Sequence, residues 1–226
     1  MSDLLKVRVG GSSYLCKWEE PVIYKTNFTN FDVNTLTDIP IKGETVTYTK
    51  GQGGFTIQSS SNGLLLNGGY SYDNSLYAVL STDFSTAKEV AKTSKMILNR
   101  MPPYAASWCW LNKNAANAWT NRGQGLFMFS NNLTTDYSKM FSEYHGSIYF
   151  TFCVPSPGQY YIDQEIDVTE VWSNDGIMKW YFNNNLAGIN TNVNMSSDLN
   201  NHFKELSIGV SDSEIICKEI SISAKF

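Results

Sequence analysis

The stretch Ile166–Ile189, IDVTEVWSNDGIMKWYFNNNLAGI, carries the reading of the fold. A strand runs to Trp172, Ser173-Asn174-Asp175-Gly176 has the composition of a turn, and an aromatic strand returns through Trp180 and Phe182. A second turn follows at Asn183-Asn184-Asn185, because asparagine tolerates positive φ. Beyond it, Leu206, Ile208 and Val210 alternate, Gly209 falls within that run, and Glu214 to Ile222 form a last alternating segment. The order is hairpin, polar loop, glycine-bearing strand, final strand, and it predicts antiparallel β structure.

Working outward, Ile148, Phe150, Phe152 and Val154 alternate with polar or smaller residues, as a strand with one buried face does. Ser107–Leu111, Leu126–Phe129 and Met96–Met101 also read as strands. Phe55–Ile57 and Leu64–Leu66 flank Ser59-Ser60-Ser61-Asn62-Gly63 as a hairpin. Three short helical pieces are expected. Ser85 precedes Ala87, Val90 and Ala91; Tyr137, Met140, Phe141 and Tyr144 stand at i, i+3, i+4 and i+7; Leu199 and Phe203 suggest one more turn. At the N-terminus Leu5, Val7 and Val9, then Tyr14, Cys16 and Trp18, alternate about Gly10-Gly11. Residues 1–20 therefore read as a β arm or hairpin, packed on the main domain or docked on a neighbour, and residues 21–226 as one sandwich domain.

The segments Asp175-Gly176, Trp180-Tyr181-Phe182-Asn183-Asn184 and Ile208-Gly209 together resemble the C-terminal signature of the concanavalin A-like jelly rolls, the laminin-G and lectin-like superfamily. The resemblance covers the last quarter of the chain closely. It implies an all-β antiparallel sandwich and a lectin-like role.

Composition bounds the function classes. The chain has 226 residues, 42% of them hydrophobic and 14% aromatic, which suits one β domain with a substantial core. Its 17 Lys and Arg against 21 Asp and Glu give a net charge of -4 with no basic run, which disfavours nucleic acid. No sustained apolar run of membrane-spanning length occurs, and the first residues lack the pattern of a signal peptide, so neither membrane insertion nor export by its own signal is expected. Cys16, Cys109, Cys153 and Cys217 are widely spaced and read as reduced thiols, and the sequons at Asn27, Asn132 and Asn194 carry no message without a secretory route.

Two stretches have the residue types for chemistry. Glu165-Ile166-Asp167-Val168-Thr169-Glu170 resembles the ExDxxE motif of the laminarinase and lichenase-type β-glucanases. That resemblance implies Glu165 as nucleophile, Asp167 as electrostatic helper and Glu170 as general acid/base. Alternation puts Glu165 and Asp167 on one face, and Glu170 joins them only if a β-bulge absorbs the odd step. The motif also stands late in the chain and runs straight into the aromatic hairpin, as in non-catalytic laminin-G-like modules, so a β-glucan hydrolase is the alternative reading.

The favoured reading is carbohydrate binding, in which rings stack on sugar CH faces while amides, acids and guanidinium groups meet hydroxyls. Two loops qualify. One carries Trp119, Asn121 and Arg122 around an indole that no core periodicity demands; the other carries Tyr70, Tyr72, Asp73 and Asn74. His145 and His202 lie in no triad or metal motif. Asp73, Asn74 and Asp83 offer oxygen ligands for calcium without the DxDxDG loop pattern, so no metal or cofactor is predicted.

A lectin-like fold without an export signal, with reduced thiols and a surface rich in Asn, Ser, Thr and Tyr, suits a bacteriophage virion protein. Such a protein is made in the host cytoplasm and acts on a virion appendage that recognises a host glycan. The N-terminal arm would then meet other virion proteins or a second copy of the chain. A structural decoration module without a ligand is the remaining alternative.

Overall fold

The computed structural model describes residues 4–9, 12–17, 21–71, 74–100, 107–111, 127–132, 137–144, 147–155, 163–191 and 198–226. In chain order the first strands are β1 (Leu4–Val9), β2 (Ser12–Lys17), β3 (Val22–Thr26), β4 (Phe31–Asp32), β5 (Thr37–Asp38), β6 (Val46–Thr47) and β7 (Thr49–Lys50). There follow β8 (Phe55–Ser60), β9 (Gly63–Gly68), β10 (Ser75–Val79), β11 (Glu89–Arg100), β12 (Ser107–Leu111), β13 (Phe127–Asn132), β14 (Tyr137–Tyr144) and β15 (Ser147–Pro155). The chain closes with β16 (Glu165–Ser173), β17 (Met178–Phe182), β18 (Asn185–Asn190), helix α1 (Asp198–Lys204), β19 (Glu205–Ser211) and β20 (Ser213–Lys225).

These strands build an antiparallel β-sandwich. One sheet has the order β15-β14-β13-β12-β19-β10-β7. The other runs β18-β17-β16-β11-β20-β9-β8, with β3 pairing onto the end of β20 beyond β9. Inward-facing side chains from both merge into one core: Leu76, Ala78, Leu206, Ile208 and Val210 from the first, and Met96, Leu98, Val168, Trp172, Trp180, Ile215 and Ile220 from the second. Burying such side chains is worth about 1.5–3 kcal/mol each before chain entropy is counted. A small sheet, β4-β5-β6, packs beside this pair, and β1 and β2 form a hairpin that shares no ladder with the other described strands.

The 166–189 stretch folds as its turn chemistry requires. β16 pairs with β17 across a turn at Asn174–Gly176, and β17 pairs with β18 across Asn183 and Asn184 at φ 46 and 63. Positive φ at both positions is the backbone of the tight turn whose twist matches paired strands. The two large sheets are joined at a corner. β19 passes to β20 through the single residue Asp212, held at φ 44.

Two of the three expected helices are strands or turns. Tyr137–Tyr144 is β14, paired on both sides with β13 and β15, and a register shift between Ser142 and Glu143 offsets its alternation by one residue. Residues around Ser85 make a short turn closed by Ala87 N–H on Phe84 O, and β11 begins at Glu89. The third expectation, around Leu199 and Phe203, is α1. Cys109 and Cys217 are buried and take part in no disulfide among the described residues.

Candidate functional site

The carboxylates of β16 do not form a glucanase site. The ladder with β11 is unbroken from Glu89↔Ser173 to Ile97↔Glu165, and the ladder with β17 is unbroken from Val168 to Trp172. Without a bulge, strand alternation sends Glu165 and Asp167 to the outer face and Glu170 to the inner one. The nearest register shift on β11 lies instead on its far side, where Lys95 faces Glu219 and Met96 faces Cys217, leaving Lys218 as the extra residue of β20. Glu165 is ion-paired with Lys218 at 2.6 Å, and burial pushes the Asp167 carboxyl up. The inferred roles of Glu165 as nucleophile and Glu170 as its acid/base partner therefore fail on geometry, because a retaining pair must face one cleft about 5–5.5 Å apart.

Glu170 belongs to a buried charged cluster under α1. It is 0% exposed, as are Lys92 and His202. His202 Nε2 lies 2.9 Å from Glu170 Oε2, and the His202 ring stacks on Trp172 with centroids 4.2 Å apart and planes 12° apart. Lys92 Nζ donates to the carbonyls of His202 at 3.2 Å and Glu205 at 2.8 Å, so an ammonium group caps the C-terminal end of the helix. Burial pushes Glu170 up to about 8, opposed by Lys92, and pushes Lys92 down to about 8, opposed by Glu170 and Glu205. Glu205 rises to about 7 for the same first reason. Lys92, Glu170 and His202 are enclosed by protein, and Glu205 is half-buried beside them. The sequence placed His202 in no motif, and the contacts that recruit it come from residues far off in the chain.

The opposite end of the sandwich carries an exposed ring. β9 ends at Gly68, and the loop beyond it carries Tyr70, which is 62% exposed. Behind it Arg100, at the end of β11, reaches Asp212 Oδ1 at 3.3 Å and Asn67 Oδ1 at 3.1 Å, while the Asp212 N–H donates to Gly69 O at 3.0 Å. Asn99 donates to Glu214 at 3.0 Å on the adjoining rung. A solvent-facing ring thus stands beside a framework of guanidinium, carboxylate and amide groups held by one another.

Of the residues expected in this loop, Asn74 proves structural. It is 1% exposed, donates to Gly69 O at 2.8 Å and accepts from Val210 N–H at 3.0 Å through its own carbonyl. A Cβ at Gly53 would fall 1.9 Å from Asn74 Oδ1 and one at Gly68 2.6 Å from Asn74 Nδ2, so both backbones approach as only glycine allows. Asn74 pegs the Gly53 turn to the Gly68–Gly69 segment and is not available to a ligand. Asp83, one of the three oxygen donors considered for calcium, accepts from Ser85 N–H and Oγ, both at 3.0 Å. Tyr72 and Asp73, and the second expected site of Trp119, Asn121 and Arg122, lie outside the described residues.

Beside the Tyr70 loop lies an open groove of ≈ 530 Å³ between the β4–β5 turn and β8, lined by Val33, Asn34, Leu36, Lys50, Phe55 and the succeeding residues Thr56, Ile57 and Gln58. β7 and β8 are edge strands of the two large sheets, so the groove sits where the sandwich opens. Phe55 is the partner of Gly68 in the β8–β9 ladder and links the groove wall to the Tyr70 loop. The sequence reading missed this groove, whose lining comes from three segments brought together only by folding.

No protein-family model matches the sequence, and no curated protein matches it. Solved structures do. The botulinum neurotoxin serotype D binding domain superposes with a TM-score of 0.56 at 11% identity, 90% of this chain covering 48% of that one. A structure of botulinum neurotoxin type C, whose cell entry depends on interaction with two ganglioside molecules, gives 0.57 at 13% identity with the same coverages of 90% and 48%. The binding domain of botulinum neurotoxin DC in complex with SialylT gives 0.56 at 12% identity, with coverages of 90% and 47%. The chain spans about half the length of the domains it matches. At this identity the likeness is one of fold: a β-rich sandwich of the kind found in receptor-binding domains.

Proposed function

We propose that the chain is a non-catalytic, concanavalin A-like carbohydrate-binding module of a phage virion appendage that recognises a glycan of the host surface. The observation that carries the binding role is the exposed Tyr70 ring at the end of the sandwich where Arg100, Asp212 and Asn67 form a bonded framework. A ring and fixed polar groups at one surface are what a saccharide needs for its CH face and its hydroxyls. Separation of Glu165 from Glu170 on opposite faces of β16 speaks against the glucan hydrolase. The neurotoxin binding domains lend support by analogy, in that proteins of this fold are described with gangliosides and with a sialylated ligand.

The virion setting rests on the sequence: a lectin-like sandwich rich in surface Asn, Ser, Thr and Tyr, made in the host cytoplasm. In that setting the β1–β2 hairpin, which shares no ladder with the other described strands, attaches the module to other virion proteins or to a second copy. Probing a glycan array and whole host cells with the purified chain tests the function. The expected result is a restricted set of glycans bound, with no reducing ends released from β-glucans. Release that disappears in Glu165→Gln would install the hydrolase instead, and an empty array with no cell binding would leave a decoration protein.

A further inference from the structure

The groove between the β4–β5 turn and β8 has the chemistry of a second, differently selective subsite. Its lining combines the apolar Leu36 and Ile57 with the amides of Asn34 and Gln58 and the ammonium of Lys50, while the Thr56 hydroxyl is spent on Asn67 O at 3.3 Å. The ammonium is held in place. It donates to Phe55 O at 3.0 Å and sits 4.7 Å from the centre of the Phe55 ring. Among the described residues no carboxylate pairs with Lys50, whereas Lys25, Lys218 and Arg100 meet Glu219, Glu165 and Asp212 respectively. A positioned cation with N–H groups left over and no counter-ion among the described residues can serve to recognise an anion.

We propose that this groove takes a carboxylate-bearing sugar residue, with Lys50 receiving the carboxylate and Asn34 and Gln58 meeting the hydroxyls. A volume of ≈ 530 Å³ lies inside the roughly 300–1,000 Å³ range of small-ligand clefts and holds a sugar ring with room for its neighbour. Stacking does not set the selectivity here, because Phe55 is 5% exposed and its ring is covered by Lys50. Charge does. The Phe55–Gly68 rung connects the groove to the Tyr70 loop, so the two places act on one glycan chain, a neutral unit at Tyr70 and an acidic one at Lys50. The inference rests on the carbohydrate-binding reading and adds the class of sugar.

The test is calorimetric titration of the full chain with tri-galacturonate and with a glucuronate disaccharide, each compared with its uncharged methyl ester. One acidic form should bind about tenfold or more tighter than its ester, the scale of one charge-assisted hydrogen bond. Lys50→Gln should bring the two forms level at an unchanged melting temperature, and Tyr70→Ala should weaken both while preserving their ratio. Equal binding of acid and ester, or a ratio that survives Lys50→Gln, overturns the assignment. If neither acidic probe binds while the array returns neutral glycans, the acidic subsite is wrong and the binding function stands; if no glycan of any kind binds, both fall.

Discussion

At the α1 end of the sandwich Lys92, Glu170 and His202 are 0% exposed and bonded to one another or to main-chain carbonyls, whereas at the other end Tyr70 is 62% exposed and Arg100 and Asp212 are part-buried. Both ends collect ionisable and aromatic side chains on neighbouring strands, so residue type alone does not separate them. Solvent access does. Charges without water must be matched inside the fold, and removing one strands its partner; charges at a wet rim contribute little to stability and remain available to a ligand. The first end should govern melting, and the second should govern binding.

The largest expected effect is therefore at the buried cluster. Glu170→Ala removes the carboxylate partner of the buried His202 Nε2 and opens a cavity beside it, at a cost of about 3–5 kcal/mol. At roughly 2–4 °C per kcal/mol for a domain of this size, the melting temperature should fall by roughly 6–20 °C. A drop under about 2 °C by differential scanning calorimetry would mean that the cluster is hydrated and that the contrast between the ends is false.

The same cluster fixes how stability should change with pH. Glu170, at about 8 when folded, and Glu205, at about 7, hold their protons more tightly than an unfolded glutamate does. Their contribution is complete below the ordinary value of 4.5 and is lost as pH rises towards 8. Lys92 is depressed to about 8 from 10.5, so its unfavourable contribution disappears as pH rises from 8 to 10.5. Melting temperature should pass through a shallow minimum near pH 8. Glu170→Gln should flatten the limb between pH 5 and 8, and a limb of unchanged slope would remove Glu170 as its source.

A smaller effect is expected from Asn74→Ala, which removes the peg between the Gly53 turn and the Gly68–Gly69 segment and should cost about 1–3 kcal/mol. Because the peg supports the Tyr70 loop, glycan affinity should fall with stability. Affinity retained in a destabilised Asn74→Ala would show that the loop is placed by other contacts.

The hairpin of β16, β17 and β18 was legible because its determinants are local: Asp175-Gly176 and Asn183-Asn184 mark the turns and the aromatic residues keep a period of two. β14 was not. Tyr137, Met140, Phe141 and Tyr144 match a helical period, but YSKMFSEY lies between β13 and β15, and pairing on both flanks overrides a pattern that a one-residue register shift had blurred. β11 was obscured at its start because Lys92 occupies a core position, and the carbonyls that satisfy it belong to His202 and Glu205, more than a hundred residues away in sequence. The site shows the same limit. Alternation in β16 stated the condition that would separate Glu165 from Glu170, and only the ladder with β11 settled that no bulge intervenes. Tyr70 and Asn74 looked alike in the sequence of one loop, and only burial separates them, the first exposed and the second enclosed.

The most direct test of the account is the affinity of Tyr70→Ala for the best glycan from the array, measured by titration calorimetry alongside its melting curve. An exposed ring contributes little to folding, so stability should stay within about 0.5 kcal/mol of wild type. Binding should weaken about tenfold, because the stacking platform is gone. Undiminished affinity in a normally folded Tyr70→Ala would contradict the assignment of the Tyr70 end as the binding surface.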